Sequence, residues 1–236
     1  MLEIIAQTPE DAAAAESGGA TQIDLKANFA EGGTTPTAGM VVSVCASVKI
    51  DVLVMVRPRV DRMVFTPTDI RIMCEDITLA RQRGADGFLL GALTENREID
   101  AEAILAFKEA AQEKPLHFHL GWELTNDPQA SLEKLIELGI KSARTTGGQG
   151  LSGKAENGVD MIRRYQQIAS GRIDLLLAGG VSPENASRLI QLTGVANLHS
   201  GTPVRTPLHP SAAVDLAKVK ALRKAQDAGI KKLQMV

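Results

Sequence analysis

The chain has 236 residues, 44% hydrophobic and 23% charged, with a formal net charge of −2. This composition is ordinary for a globular protein, and neither the charge balance nor the 3% aromatic content suits a nucleic-acid partner, which calls for basic faces and stacking rings. Cys45 and Cys74 lie too far apart in sequence for a disulfide framework or thiolate cluster. With no signal-peptide pattern at the start and no apolar run near the roughly 18 to 20 residues of a membrane span, a cytoplasmic location away from membranes is expected.

Short apolar runs near residues 2–6, 21–26, 51–57, 86–91, 115–119, 141–145, 173–178 and 195–199 read as strands, each followed by a helix-like stretch. Thr8-Pro9-Glu10, Thr66-Pro67, Asp127-Pro128 and Ser182-Pro183-Glu184 set a capping side chain before a proline, the pattern of a helix start. Glycines near 18, 84, 139 and 194 close helices just ahead of the next strand. Eight such units without a compositional break predict a single (β/α)8 barrel over residues 1–236, its tail from about 225 a final helix or a frayed end.

In most of these strands one side-chain parity is aliphatic and the other ionisable or polar. Glu3, Asp24 with Lys26, Arg57 with Arg59, His117 with His119, Arg144, and Asn197 with His199 form the polar set. Alternate residues of a strand share a face, so this set should converge inside the barrel. Inward charges are costly to bury and are usually kept for chemistry. Barrel function resides in the loops after the strands, here 27–39, 58–66, 120–127, 146–155 and 200–210.

Asp24-Leu25-Lys26 sets a carboxylate and an amine on one face, roughly 7 Å apart along the strand. They read as a proton-transfer group and an electrophile or imine former, or else as a structural ion pair. Arg57-Pro58-Arg59 offers two guanidinium forks for a carboxylate or phosphate. In His117-Phe118-His119, His119 reads as an acid/base group; the pair can also hold zinc with His199 or Asp24 as a third ligand, or pack as core histidines. Three turns follow late strands: Thr146-Gly147-Gly148, Gly179-Gly180 and Ser200-Gly201. Their amides, with a helix starting at Ser182, suit a phosphate or sulfate. Glu3 and Asp24 against Lys26, Arg57, Arg59 and Arg144 give a locally positive mouth that favours an anion. Trp122 and Glu123, in the fifth loop, can cap that mouth, and Trp122 reads equally as a pocket-lining or a rim-packing residue.

At these residues the chain resembles the CutC copper-homeostasis family, whose members are TIM barrels. The matching pieces are Leu2-Glu3-Ile4; Ile23-Asp24-Leu25 with Asn28; Glu31-Gly32-Gly33-Thr34-Thr35-Pro36; Arg57-Pro58-Arg59; Gly84-Ala85-Asp86-Gly87 with Gly91; Phe118-His119; Thr146-Gly147-Gly148; Gly179-Gly180-Val181; and His199-Ser200. The resemblance implies the barrel fold, and copper ahead of zinc as the cofactor, held by His117, His119 or His199, or by methionines such as Met55. The family often has cysteine where Lys26 stands, and Arg-Ala-Phe-Asp where Leu120-Gly121-Trp122-Glu123 stands. Cu(I) prefers sulfur, so the Lys26 departure bears directly on copper. The expected function is a small-molecule enzyme of isomerase or lyase type, acting on a phosphorylated or carboxylated compound. Its proton-transfer groups would be Asp24 and His119, and its anion holders Lys26, Arg57, Arg59 and Arg144. Copper handling without turnover and an inactive scaffold are the alternatives, with self-association left open.

Overall fold

The computed structural model describes residues 1–235. Eight parallel strands pair in chain order and the eighth closes on the first: β1 Leu2–Ala6, β2 Gln22–Leu25, β3 Asp51–Met55, β4 Gly87–Leu90, β5 Leu116–Phe118, β6 Ser142–Thr145, β7 Asp174–Leu177 and β8 Asn197–Ser200. Helices α1 Pro9–Ser17, α2 Ala38–Ser47, α3 Pro67–Gln82, α4 Ala101–Ala111, α5 Pro128–Glu137, α6 Val159–Ala169, α7 Ala186–Thr193 and α8 Leu216–Leu233 alternate with them. The expected (β/α)8 barrel is therefore present. A hairpin of β9 Arg205–Thr206 and β10 Ala213–Val214 separates β8 from α8. The tail expected from 225 onward continues α8 to Leu233, while Val236 lies outside the described residues. Among the described residues no helix is long and apolar enough to cross a membrane.

The two side-chain parities of each strand meet different surroundings. Ile4, Ile23, Val52, Val54, Phe88, Leu90, Phe118, Ala143, Leu177 and Leu198 join helix residues such as Met73, Ile104, Leu135 and Ile190 in one buried shell. Each fully buried aliphatic side chain there contributes roughly 1.5–3 kcal/mol. The other parity faces the lumen. Glu3 of β1 contacts Arg144 of β6, although β1 pairs only with β2 and β8, so this contact crosses the interior.

Three of the four expected helix starts are present. Thr8, Thr66 and Asp127 accept backbone N–H groups at the heads of α1, α3 and α5, and Thr66 forms a reciprocal capping box with Asp69. The fourth is corrected: α7 begins at Ala186, not at Ser182. Asn185 Oδ1 accepts the Ser182 N–H (2.8 Å) and Ser182 Oγ accepts that of Glu184 (3.2 Å), so local side-chain bonds hold this stretch as a turn.

Candidate functional site

At the centre of the lumen Glu3, fully buried, accepts Nε of Arg144 on Oε1 (3.0 Å) and Nη2 of Arg144 on Oε2. Gln22 of the adjoining strand donates to Oε2 (2.7 Å), and Nδ1 of His199 sits 2.6 Å from Oε1. Burial, the largest influence on the Glu3 carboxyl, would raise its pKa. Arg144 and the His199 hydrogen bond together outweigh it and hold the group well below the usual carboxylate range. Because Glu3 stays ionised, Nδ1 of His199 must carry the proton of their bond, leaving Nε2 as the nitrogen available to the lumen.

Above this layer, Asp24 is fully buried. Its Oδ2 lies 2.7 Å from Nζ of Lys26, yet among the described residues neither Asp24 oxygen receives a hydrogen bond of normal geometry. The Lys26 stem folds back along the loop after β2, where Gly33 makes room for it: at φ +103°, any Cβ on Gly33 would sit 2.6 Å from Lys26 Cδ. That loop is laced to the end of β3. Thr35 exchanges two backbone-directed bonds with Arg57, Oγ1 accepting the Arg57 N–H and the Thr35 N–H donating to the Arg57 carbonyl, both at 3.0 Å. The Glu31–Pro36 segment and Arg57 are thus one physical unit. Nη2 of Arg57 donates to the Val60 carbonyl (2.7 Å), while Nε is buried and unpartnered among the described residues.

The two β5 histidines have separate environments. Nδ1 of His119 accepts the Gly121 N–H (2.9 Å), so Nε2 carries the ring proton when the ring is neutral; Nε2 is buried without a partner among the described residues. Burial first, then Arg57 and Lys26, push the His119 pKa down to about 3, keeping the imidazole neutral. The ring lies between Gly91 and Gly121, and a side chain at Gly91 would collide with it. His117, two residues deeper, bonds Ser142 Oγ through Nδ1 (2.7 Å) and is likewise pushed down to about 3, by burial and then Arg144.

Lys26, Arg57, Arg144, His119, His199 and Asp24 line one cavity of about 360 Å³ at the C-terminal mouth, walled by Met55, Val60, Met63, Leu89, Leu120 and Leu151. Wider grooves lie elsewhere, one of about 730 Å³ near residues 62–67 and 93–102, but without the barrel's buried charges. The mouth is the candidate site because the uncommitted buried nitrogens of Arg57 and His119 meet there beside the Asp24–Lys26 pair.

Several expected site residues stand apart. Arg59 does not line the mouth: it is half exposed and paired with Asp61 (3.8 Å) and Asp69 (4.0 Å). The Thr146 and Gly147 amides are already bound by the Glu123 carboxylate (3.0–3.2 Å), which also takes the hydroxyls of Thr145 and Thr146. Gly148 borders an outer groove beside Tyr165. Gly179 is covered by Gly153, and Gly180 by the Lys154 stem. Ser200 Oγ donates to the Val181 carbonyl (2.7 Å), and Gly201 packs against Phe29 and Ile5. Trp122 is no cap but a fully buried strut, donating to the Arg144 carbonyl (2.8 Å) and meeting Tyr165 edge-on. Gln22 and the loop residues Met63, Leu151 and Ser152 are not singled out by the sequence, and Leu120 and Gly121 only as a departure from the family pattern; of the first four only Gln22, two residues from Asp24 on the same parity, carries a readable signal.

The structure does not gather the three histidines of the expected metal set into one group. Among the described residues the metal-type group is Glu3, Asp24 and His199, with ligand atoms within 4.8 Å of one another; His117 and His119 are not in it. Arg144 and Lys26 already neutralise its carboxylates. Cys45 and Cys74 sit on α2 and α3, outside the lumen; burial raises both thiols, Cys45 to about 11, against forming thiolates.

The comparisons with known proteins agree with this architecture. The CutC family model matches residues 1–204. The human copper homeostasis protein cutC homolog is 36% identical over 199 residues, covering 84% of this chain and 72% of its own length. A CutC family protein of Bacteroides thetaiotaomicron is 37% identical over 84% of this chain and 79% of its own. A solved structure from Streptococcus agalactiae, described as a copper homeostasis protein CutC, superposes with a TM-score of 0.79 at 31% identity, covering 84% of this chain and 97% of that one.

Proposed function

We propose that this chain, which belongs to the CutC family, is a small-molecule enzyme of isomerase or lyase type whose barrel mouth binds an anionic substrate. One observation carries the reading. Arg57 Nε and His119 Nε2, both buried and without a protein partner among the described residues, meet at one cavity beside the buried Asp24–Lys26 ion pair (2.7 Å). Unsatisfied buried polar groups each cost about 1–3 kcal/mol, more when charged, and a fold retains such a cluster where a ligand completes it.

The roles follow from the atoms. Asp24 is the acceptor for a proton drawn from a carbon beside a carbonyl. Arg57 and Lys26 hold the substrate's anion. The neutral imidazole of His119 offers its Nε2–H to the oxygen where negative charge develops, as a fixed donor in a site shielded from water. Asp24 returns that proton at a neighbouring atom, and His199, oriented by Glu3 through Nδ1–H, has Nε2 free as a second proton acceptor. Arg144 positions that assembly by holding Glu3 ionised.

Copper does not fit this donor set. Among the described residues the lumen holds no cysteine, and its soft donors, the Met55 and Met63 thioethers, share the cavity with three cations, Lys26, Arg57 and Arg144.

The test is solvent deuterium incorporation. Proton NMR in D2O would follow 2-oxo acids, 2-hydroxy acids and sugar phosphates incubated with the protein. Exchange next to a carbonyl, lost at least 100-fold in Asp24→Asn and kept in Arg59→Ala, is the expected result. Exchange that persists in Asp24→Asn, or that no compound shows, overturns the reading.

A further inference from the structure

Building on the anion-accepting reading of the mouth, we infer that the cavity selects a compact monocarboxylate and turns away phosphate esters. Barrels commonly seat phosphate in the loops after the seventh and eighth strands, with help from a helix N-terminus. In this chain part of that ground is spent on the chain itself, and the groove of about 490 Å³ that remains there, between Gly180, Ser182 and Thr202, sets Glu184 beside Lys154 and Lys218. The loop after β6 lies across the turn after β7: Ala155 N–H donates to the Gly179 carbonyl (3.0 Å), and the Gly153 carbonyl takes the space a side chain on Gly179 would need. The Ser182 and Glu184 amides are held by Asn185 and by Ser182 itself, and the Glu184 carboxylate accepts the Ser182 hydroxyl (2.6 Å). A phosphate there would meet a carboxylate. The turn after β6 already holds an anion, the Glu123 carboxylate, on the amides of Thr146 and Gly147 and the hydroxyls of Thr145 and Thr146.

The donors left for a ligand are of another kind. Arg57 keeps Nε uncommitted among the described residues, beside the Nε2–H of His119 and the Lys26 ammonium. A planar guanidinium matches a planar carboxylate, whereas this set supplies no ring of backbone amides for a tetrahedral phosphate. Charge agrees with shape. The exposed Glu31 at the rim adds a carboxylate against a dianion, and the buried charged groups of the lumen are Lys26, Arg57 and Arg144 against Glu3 and Asp24, a single net positive charge. A monoanion balances it; a phosphate dianion would leave excess negative charge beside Asp24. The remaining wall (Met55, Val60, Met63 and Leu89) suits a short apolar body.

Calorimetric titration of the whole protein with pyruvate, lactate, inorganic phosphate and glycerol 3-phosphate tests this. The expected result is saturable binding of pyruvate or lactate, weakened at least tenfold in Arg57→Lys, which keeps the charge and loses the planar fork. The two phosphates should show no binding to the unsubstituted protein. Glu123→Ala should gain phosphate binding at the emptied turn without losing the carboxylate. Phosphate bound as tightly as carboxylate and weakened by Arg57→Lys would overturn the selectivity while leaving an anion site standing. Absence of binding by all four, in a protein shown to be folded by circular dichroism, would bring down the anion site as well.

Discussion

Two sides of the barrel mouth use similar residue types to opposite ends. On the β2–β5 side, Arg57 and His119 are buried with a nitrogen each left uncommitted among the described residues, beside the Asp24–Lys26 ion pair. On the β6–β8 side, Glu123, Thr145, Thr146, Ser182, Asn185 and Ser200 bond one another or nearby backbone. Glycine-rich turns and hydroxyls drew attention to the second side, yet its donors are spent on the fold. Residue type suggests what a group can do; whether it is still free to do it depends on its partners. The Glu3–Arg144 pair lies between the two, a satisfied interior ion pair that orients His199 toward the unsatisfied side.

The comparison can be broken most forcefully at that pair. Arg144→Ala leaves Glu3 buried and uncompensated and should lower stability by about 3–5 kcal/mol, read from the urea midpoint, while Glu3→Gln with Arg144→Met together should cost much less. Singles and double with equal losses would show that the pair acts only as filler.

Acid separates the sides through the histidines. His117 and His119 have pKa values near 3 in the folded chain against about 6.5 unfolded, so the unfolded state binds more protons between these values. Stability should therefore fall as pH drops from 6.5 toward 3, by about 1.4 kcal/mol per histidine between pH 7.5 and 5.5. Urea unfolding at both pH values checks this, and a His117→Asn variant should show the shallower dependence.

On the satisfied side, Glu123→Ala strands buried amides and hydroxyls and should cost about 2–3 kcal/mol. On the open side, Arg57→Met should stay within about 1 kcal/mol, because a group left uncommitted for a ligand adds little to stability. Thermal melts of both variants sharpen the contrast, and reversed magnitudes would reassign the site to the β6–β8 side. The smallest effect belongs to Arg59→Ala, whose exposed pairing with Asp61 and Asp69 should be worth under about 0.5 kcal/mol and leave carboxylate binding intact.

Much of the fold was legible. Thr8, Thr66 and Asp127 cap helices as their sequence context suggests, because capping joins residues only two or three apart. Ser182 failed by the same local logic: Asn185, three residues on, captured its amide before a helix could. The site was legible in part. Asp24, Lys26, Arg57, Arg144, His119 and His199 do line one cavity. Arg59 was misplaced because proline between two arginines says nothing of which way each leaves the strand. The donors at 146–147 were misread because their partner, Glu123, arrives from another loop.

What the sequence by itself determined is the alternation within each strand, and with it a barrel aliphatic outside and charged within, since side-chain parity is a property of neighbouring residues. Only the tertiary structure decided which charges are spent and which are left open. Glu3 meets Arg144 across 141 positions of chain, whereas Arg57 Nε, buried at the same mouth, gains no partner among the described residues. Hydrogen-bond satisfaction is settled by groups that closure of the barrel brings together.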